Sequence, residues 1–335
     1  MSNITMLLGG LVLLAIGGEL LVRGAVAVAE RLGMSPLLIG LTLVGFGTST
    51  PELVTSVQAA LANSPGIAIG NIVGSNIANI LLILGLSAMI TPVAVSSKAL
   101  KRDGAVVLAA ALVFALIGYF GSLDRLTALV LVLFLTAYIW FAYIQEKAPA
   151  ATGHGAAFEK AEAYDELHVG PIRHQAEAKS LAQRLGPVMP LIMALGGLVL
   201  VVFGGKLLVD AASTIARDAG ISETIIGLTI VAVGTSMPEF VTSLVAALRK
   251  HSDVALGNIM GSNIYNILGI GGVTGLLSPA PVQIPAEIAH FDNYVMIAAS
   301  LALLVFARTG LKIGRLEGAV LLAGYGAYLF VLWPK

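Results

Sequence analysis

The chain contains no cysteine, so disulfide scaffolds, thiolate metal centres and thiol nucleophiles are excluded together. Charge is nearly as scarce. Only 11% of the 335 residues are Asp, Glu, Lys or Arg, whereas a soluble domain carries roughly 25%. The 19 basic and 19 acidic residues cancel, which leaves no global basic patch and no case for a nucleic-acid partner. A basic n-region and a cleavage pattern are also missing ahead of the first apolar stretch, which therefore reads as a retained helix and not a signal peptide. Nothing in the sequence points to a protein partner.

What is present is apolar. Hydrophobic residues make up 57% of the chain and the mean hydropathy is +0.93. They fall in runs of about 18 to 28 residues, and ~20 helical residues cross a hydrocarbon core. Ten spans can be marked, at 4–29, 35–62, 68–91, 104–121, 124–144, 187–214, 222–249, 255–277, 291–308 and 314–333. The expected class is an all-α integral membrane protein in a lipid bilayer, not a soluble fold with an oversized core. The one long polar stretch, 145–186, mixes Ala, Gly, Glu and Lys with His154, His168 and His174. Those histidines are loosely spaced, and the segment reads as a solvated linker that is flexible or partly helical.

If the chain crosses at every span, 15 of the 19 basic residues lie on the linker's side and 4 on the other. The positive-inside rule then makes the linker cytoplasmic and puts both termini outside, in the plasma membrane. An internal repeat sharpens this picture. Shifting the sequence by 187 residues aligns 33–80 with 220–267 without a gap, and 28 of the 48 positions are identical. GFGTSTPELVTS at 45–56 matches AVGTSMPEFVTS at 232–243, and GNIVGSNIANI at 70–80 matches GNIMGSNIYNI at 257–267. The chain divides into a first repeat (1–144), the linker (145–186) and a second repeat (187–335). Each repeat holds five spans, an odd number, so the second inserts upside down. Inverted repeats are typical of secondary transporters, which bind their substrate near the midplane between the copies.

The repeated motif carries one acid per copy, Glu52 and Glu239. A charge at the bilayer centre costs ~2.5–3.5 kcal/mol on insertion scales, so each glutamate needs a partner. The bland reading is a protonated structural acid bonded to a neighbouring helix. The duplication of the whole polar motif argues against it. No Lys or Arg lies near the centre of the neighbouring spans, except Lys206 towards the start of the sixth. The Gly-Thr-Ser-x-Pro-Glu sequence predicts helix breaks that free carbonyls around 45–48 and 232–235. Such backbone is tolerated at membrane depth only where it lines a cavity or is buried in protein. Thr48, Ser49, Thr235 and Ser236 add hydroxyls at the same level. In the next span Ser75 and Asn79 lie four apart on one helix face, and Ser262 and Asn266 repeat them. Gly70, Gly74, Gly257 and Gly261 have the spacing of close helix packing. The inventory is all hard oxygen, which suits Ca²⁺ and Na⁺. Two carboxylates neutralise one Ca²⁺ or two Na⁺, so one cage could hold either load in turn.

The paired GTSxPE and GNxxGSNxxN motifs resemble the alpha repeats of the calcium/cation antiporter superfamily, in particular the prokaryotic sodium/calcium exchangers. The resemblance implies ten helices as two inverted five-helix repeats, with helices 2 and 7 broken at the motif. It implies Ca²⁺ ligands at Glu52 and Glu239, assisted by the backbone carbonyls of Thr48 and Thr235. It places flanking Na⁺ sites at Ser49, Ser75, Ser236 and Ser262, with backbone oxygen from Gly45 and Ala232, and it completes the central cluster with Asn79 and Asn266. The first helix of each half, 4–29 and 187–214, would slide against the core. Some relatives carry aspartate where Asn266 stands, including the potassium-dependent branch, so this site has two carboxylates and K⁺ co-transport is not expected. Exchange of Na⁺ for Ca²⁺, with Ca²⁺ exported and no cofactor or catalysis, is the leading expectation. Ca²⁺/H⁺ antiport on the same fold is the alternative. A passive channel gains nothing from the duplication, and a membrane hydrolase lacks a group to activate its nucleophile.

Overall fold

The structure is a computed structural model that describes residues 3–32, 45–95, 100–146, 160, 188–248 and 252–333. The described chain is almost wholly helical. In the first half α1 is Asn3–Arg31, α2 has helical parts Gly45–Gly47 and Thr50–Leu61, and α3 is Pro65–Ile90. Helix α4 runs through Leu100–Gly104 into Ala105–Tyr119, and α5 is Arg125–Glu146. The second half repeats the order. Helix α6 is Met189–Ala219, and α7 has two parts, Glu223–Thr235 and Met237–Leu248. Helix α8 joins Ser252–Ile264, Tyr265–Gly271 and Gly272–Leu277, α9 is Ile288–Arg308 and α10 is Arg315–Leu332. Six described helices are long and apolar enough to cross a membrane, or seven if the two parts of α7 count as one span. The linker's His154, His168 and His174 lie outside the described residues.

Burial separates the helices by role. The apolar window of α3 is 94% buried, whereas that of α10 is 22% buried. Helix α8 is buried along almost all of its described length, so α3 and α8 form the centre. Around them stand helices whose outward faces carry exposed Leu8, Val12, Leu116, Phe134, Val199 and Phe330. Apolar surface on that scale is stable against lipid tails, not water.

The halves are interleaved. Helix α10 packs on α3 and α5 packs on α8, so the fifth helix of each half covers the third helix of the other. Two short antiparallel pairs repeat this exchange. Strand β1 (Val93–Ala94, between α3 and α4) pairs with β4 (Lys312–Ile313, between α9 and α10). Strand β2 (Ser122–Leu123, between α4 and α5) pairs with β3 (Val282–Gln283, between α8 and α9).

Close packing between the halves relies on glycine. Gly10, Gly17 and Gly24 on α1 and Gly197 and Gly204 on α6 recur every seven residues along one long contact. A Cβ at Gly17 would stand 2.8 Å from the Val201 nitrogen, one at Gly10 would stand 2.9 Å from the Gly204 oxygen, and one at Gly197 would run into Leu21. On α3, Gly70 and Gly74 lie against Leu228 and Ala232 of α7, which is the packing role their spacing predicts. Small residues let helix backbones approach where lipid offers no hydrophobic drive to association.

The α1–α6 contact generates a direct test. Gly17→Leu and Gly197→Leu should each cost about 1–3 kcal/mol by overpacking, read as a fall in thermal unfolding temperature in detergent. Gly196→Leu, whose added Cβ meets nothing within 4 Å, should stay within about 0.5 kcal/mol of the parent. Equal melting of all three variants would contradict the packing.

Candidate ion-binding site

Both repeats break their second helix at the motif, for the reason the sequence supplies. Pro51 and Pro238 carry no backbone N–H, and their rings clash with the carbonyl of the preceding turn. The helix therefore stops one step earlier. Ser49 takes φ −90°, ψ 11° and Ser236 takes φ −80°, ψ 11°. In α7 the two parts diverge by 49°. A new helix then starts at Thr50 and at Met237, which puts Glu52 and Glu239 in the first turn. Helix N-termini carry partial positive charge, so each break presents its glutamate with a favourable dipole. Both glutamates are buried to 1% exposure.

The decisive contacts cross from one repeat to the other. The Ser49 hydroxyl donates to Glu239 Oε1 at 2.8 Å, and the Ser236 hydroxyl donates to Glu52 Oε1 at 2.8 Å. Around Glu52 stand Ser236 and, one helix away, Ser75, whose hydroxyl donates to the Ala232 carbonyl at 3.4 Å. Around Glu239 stand Ser49 and Ser262, the latter 3.4 Å from Oε1. Asn79 and Asn266 are fully buried in segments where α3 and α8 loosen to π-helix, Asn79–Leu84 and Tyr265–Gly271. Such π turns are frequent at functional sites. Thr48 and Thr235 flank the breaks and are buried. The backbone of Gly45 lies in the short helical part of α2.

Several oxygens converge without partners. Glu52 Oε2, Glu239 Oε2, Thr48 Oγ1, Asn79 Oδ1 and Asn266 Oδ1 are buried and make no hydrogen bond. An unpaired buried polar atom costs about 1–3 kcal/mol, and here one oxygen of each acid and one each from Thr48, Asn79 and Asn266 carry that cost. The oxygens are hard ligands, fitted to Na⁺ or Ca²⁺. Among the described residues no three His, Cys, Asp or Glu side chains form a metal-binding group, so amides, hydroxyls and carbonyls must complete any ligand shell here. Beside the site, a cavity of about 180 Å³ lies between α3 and α7, lined by Leu82, Leu86, Met237 and Phe240 and reaching Ser236.

Sequence reasoning missed three parts of this arrangement. The first is a pair of asparagines inside the quoted motif. Asn71 Nδ2 donates to the Glu52 carbonyl (3.1 Å) and to Ser56 Oγ (2.9 Å). Asn258 Nδ2 donates to the Glu239 carbonyl (3.2 Å) and to Ser243 Oγ (2.8 Å). These bonds fasten each glutamate's helix turn to the central helix behind it. The second is a further repeat-related pair of buried acids. Asp103 accepts from the Tyr138 hydroxyl at 3.1 Å, and Asp292 accepts from the Tyr328 hydroxyl at 2.8 Å. Each ties α4 to α5 or α9 to α10. Offsets of 189 and 190 in place of 187 would have found them. The third is Lys160, which the sequence places in the solvated linker. It is fully buried in the site: its ammonium donates to Ser49 Oγ at 3.2 Å and to Ser262 Oγ, and lies 3.4 Å from Glu239 Oε1. Lys206, the one cation that looked available, instead pairs with Asp210 at 3.7 Å on the exposed face of α6.

The whole chain has known relatives. The family model described as "Sodium/calcium exchanger protein" matches residues 2–144 and 189–333. The sodium/calcium exchanger MaX1 of Methanosarcina acetivorans is 37% identical, over 99% of this chain and 98% of its own length. The inner membrane protein YrbG of Escherichia coli is 33% identical, over 98% and 96%. Among solved structures, the sodium-calcium exchanger NCX_Mj, soaked with Na⁺ and Sr²⁺, superposes with a TM-score of 0.62 at 33% identity and 99% coverage of both chains.

The two halves hold the same threonines unequally, and this can be measured. Thr235 Oγ1 donates to Asn71 Oδ1 at 3.0 Å, whereas the equivalent atoms Thr48 Oγ1 and Asn258 Oδ1 have no partner. Valine is isosteric with threonine and keeps the backbone carbonyl. Thr235→Val should therefore cost about 1 kcal/mol more than Thr48→Val in thermal unfolding without added ions. A larger loss from Thr48→Val would contradict the asymmetry.

Proposed function

The chain belongs to the sodium/calcium exchanger family, and on that premise we propose that it exchanges Na⁺ for Ca²⁺ by alternating access and exports Ca²⁺. The family is one of transporters. The observation that carries the reading is the crossed pair of Ser–Glu hydrogen bonds, which brings one carboxylate from each repeat into a single buried cluster of unpaired oxygens. Ca²⁺ takes six to eight oxygens at about 2.3–2.6 Å. In this reading Glu52, Glu239 and the carbonyls of Thr48 and Thr235 supply the central ligands, with Asn79 and Asn266 beside them. Na⁺ takes the flanking positions: Ser75, Ser236 and the Ala232 carbonyl on one side, Ser49, Ser262 and the Gly45 carbonyl on the other. Two Na⁺ ions or one Ca²⁺ ion neutralise the same two acids, so either load lets the site reorient at low cost. A site bearing two bare carboxylates is held in place by their desolvation.

The same reading arranges the chain as ten crossings in two inverted halves in the plasma membrane, with the linker cytoplasmic and both termini outside. The strand pairs support it. With alternate crossings, the loops that carry β1 and β4 fall on one side and those that carry β2 and β3 on the other. Inversion would exchange the two pairs, taking β1 to β3 and β2 to β4. The moving part is the α1–α6 pair. The apolar windows of these helices are only 28% and 33% buried, and they contact each other far more extensively than they contact the core.

Proteoliposome flux tests the assignment. Glu52→Gln and Glu239→Gln each remove one of two buried charges, a loss of about 3–5 kcal/mol, which is over ~100-fold in ion affinity. Radioactive Ca²⁺ uptake should fall to background in both variants. In the parent, an outward Na⁺ gradient should drive uptake and K⁺ or proton gradients should not. Uptake driven by protons without Na⁺ would replace Na⁺ with H⁺ as counter-ion, and near-normal flux in either glutamine variant would remove the site.

Because the chain has no cysteine, single introduced cysteines report topology without background. In intact cells an impermeant maleimide should label Lys335→Cys and should label His168→Cys only after the membrane is opened. The reverse pattern would invert the orientation.

A further inference from the structure

The site contains a cation of its own. Lys160 comes from the segment between the two repeats, yet its side chain is completely buried among residues of α2, α7 and α8. An ammonium has three N–H donors, and this one meets three acceptors: Ser49 Oγ, Ser262 Oγ and Glu239 Oε1. The Tyr265 ring lies 6.0 Å from the nitrogen, within the range of cation–π attraction. Among the described residues, no cation matches it on the Glu52 side. The corresponding subsite there has Ser236, Ser75 and Glu52, but Ala78 stands where the second repeat has Tyr265.

We propose that Lys160 is a tethered competitor for the transported cation: its ammonium, seated on Ser49, Ser262 and Glu239, excludes ions from the second-repeat side of the site. The inference rests on the exchange reading above. Charge and distance both support it. A Ca²⁺ within bonding distance of Glu239 Oε1, about 2.3–2.6 Å, would share that oxygen with an ammonium 3.4 Å away. Like charges sharing one ligand in a water-poor interior repel strongly, so the two occupancies exclude each other. A Na⁺ on the flanking position would need the two hydroxyls that the ammonium already holds. Lysine suits the role, because its charge is a compact point on a flexible stem and mimics a monovalent ion without being transportable. The exchanger's apparent affinity then depends on how often the ammonium leaves.

The test compares the full-length parent with Lys160→Met, which keeps the stem and removes the charge, by calorimetric Ca²⁺ titration in detergent. If the ammonium holds its seat nine-tenths of the time, the parent binds about tenfold more weakly than the free site would. Lys160→Met should therefore tighten Ca²⁺ binding by roughly that factor. A second measurement needs no variant. Acylation of Lys160 by a water-soluble N-hydroxysuccinimide acetate, read by mass spectrometry against Lys147 and Lys179, should be slow without Ca²⁺ and should rise several-fold when Ca²⁺ is added. Equal Ca²⁺ affinity in parent and variant, or acylation indifferent to Ca²⁺ that does bind, overturns the competitor while leaving exchange intact. Absence of Ca²⁺ binding in both proteins overturns the exchange reading and this inference together.

Discussion

Two carboxylates buried at the middle of an apolar helical protein must be partnered, and the fold is organised around that requirement. Each helix that carries one is broken by proline, so the acid stands at a fresh helix N-terminus and gains its dipole. The broken turn also frees a serine, which reaches not its own glutamate but the one in the other repeat. For that crossing to occur, the breaks of α2 and α7 must lie side by side. The glycines of α3 make the approach possible, because anything larger at Gly70 or Gly74 would strike α7. The asparagines behind the breaks, Asn71 and Asn258, hold each glutamate's carbonyl and so fix where the turn begins. Helix breaks, glycine packing and asparagine ties are thus successive consequences of one electrostatic problem.

Duplication supplies nearly identical residues to both halves, but the bonds they make are unequal. Thr235 reaches Asn71 and its counterpart Thr48 reaches nothing. Asn79 donates to Asn263 Oδ1 at 2.9 Å, whereas both polar atoms of Asn266 are unpartnered. The motif residues are shared, so the inequality lies in conformation and in their surroundings, where Lys160 and Tyr265 flank the second copy and Ala78 the first. Exchanging the roles of the halves would break one set of bonds and form the corresponding set. A two-state element of that kind is what ligands can bias by a few kcal/mol.

Most of the candidate site could be read from the sequence because its chemistry is costly to place. Glu52 and Glu239 stand out in apolar spans, Pro51 and Pro238 announce the breaks, and Ser49, Ser236, Ser75 and Ser262 follow at fixed spacing. The structure joins Ser49 and Ser262 to Glu239 and Ser236 to Glu52, and sets the Ser75 hydroxyl on the Ala232 carbonyl. Other parts left weaker signals. Asn71 and Asn258 lie inside a motif whose glycines already explained it, and a backbone-carbonyl bond leaves no sequence trace. The Asp103–Tyr138 and Asp292–Tyr328 pairs were hidden by two changes of register, since the loops after α3 and α8, and those after α4 and α9, differ in length. The helices α2 and α7 were marked as full spans from composition, but the breaks that create the site also cut them into shorter pieces, and α7 counts as a span only with its two parts taken together.

Lys160 was the least legible residue, and the reason is physical. Segment composition reports the average environment of a stretch, and 145–186 is polar enough to read as solvated throughout. A single ammonium on a flexible stem can leave that environment if the destination repays its desolvation, and a cluster with two carboxylates does so for any cation within reach. The specificity of such a site therefore cannot come from charge alone. It must come from features that a tethered amine lacks: a second charge on one centre, able to engage Glu52 and Glu239 at once, and small size, which lets amide and carbonyl oxygens close around the ion. The ammonium touches Glu239 and two hydroxyls on one side, while Glu52 bonds to Ser236 on the other. A divalent ion that bridges both acids would gain what the lysine cannot, and that difference would let an internal cation hold the site and still give way to a transported one.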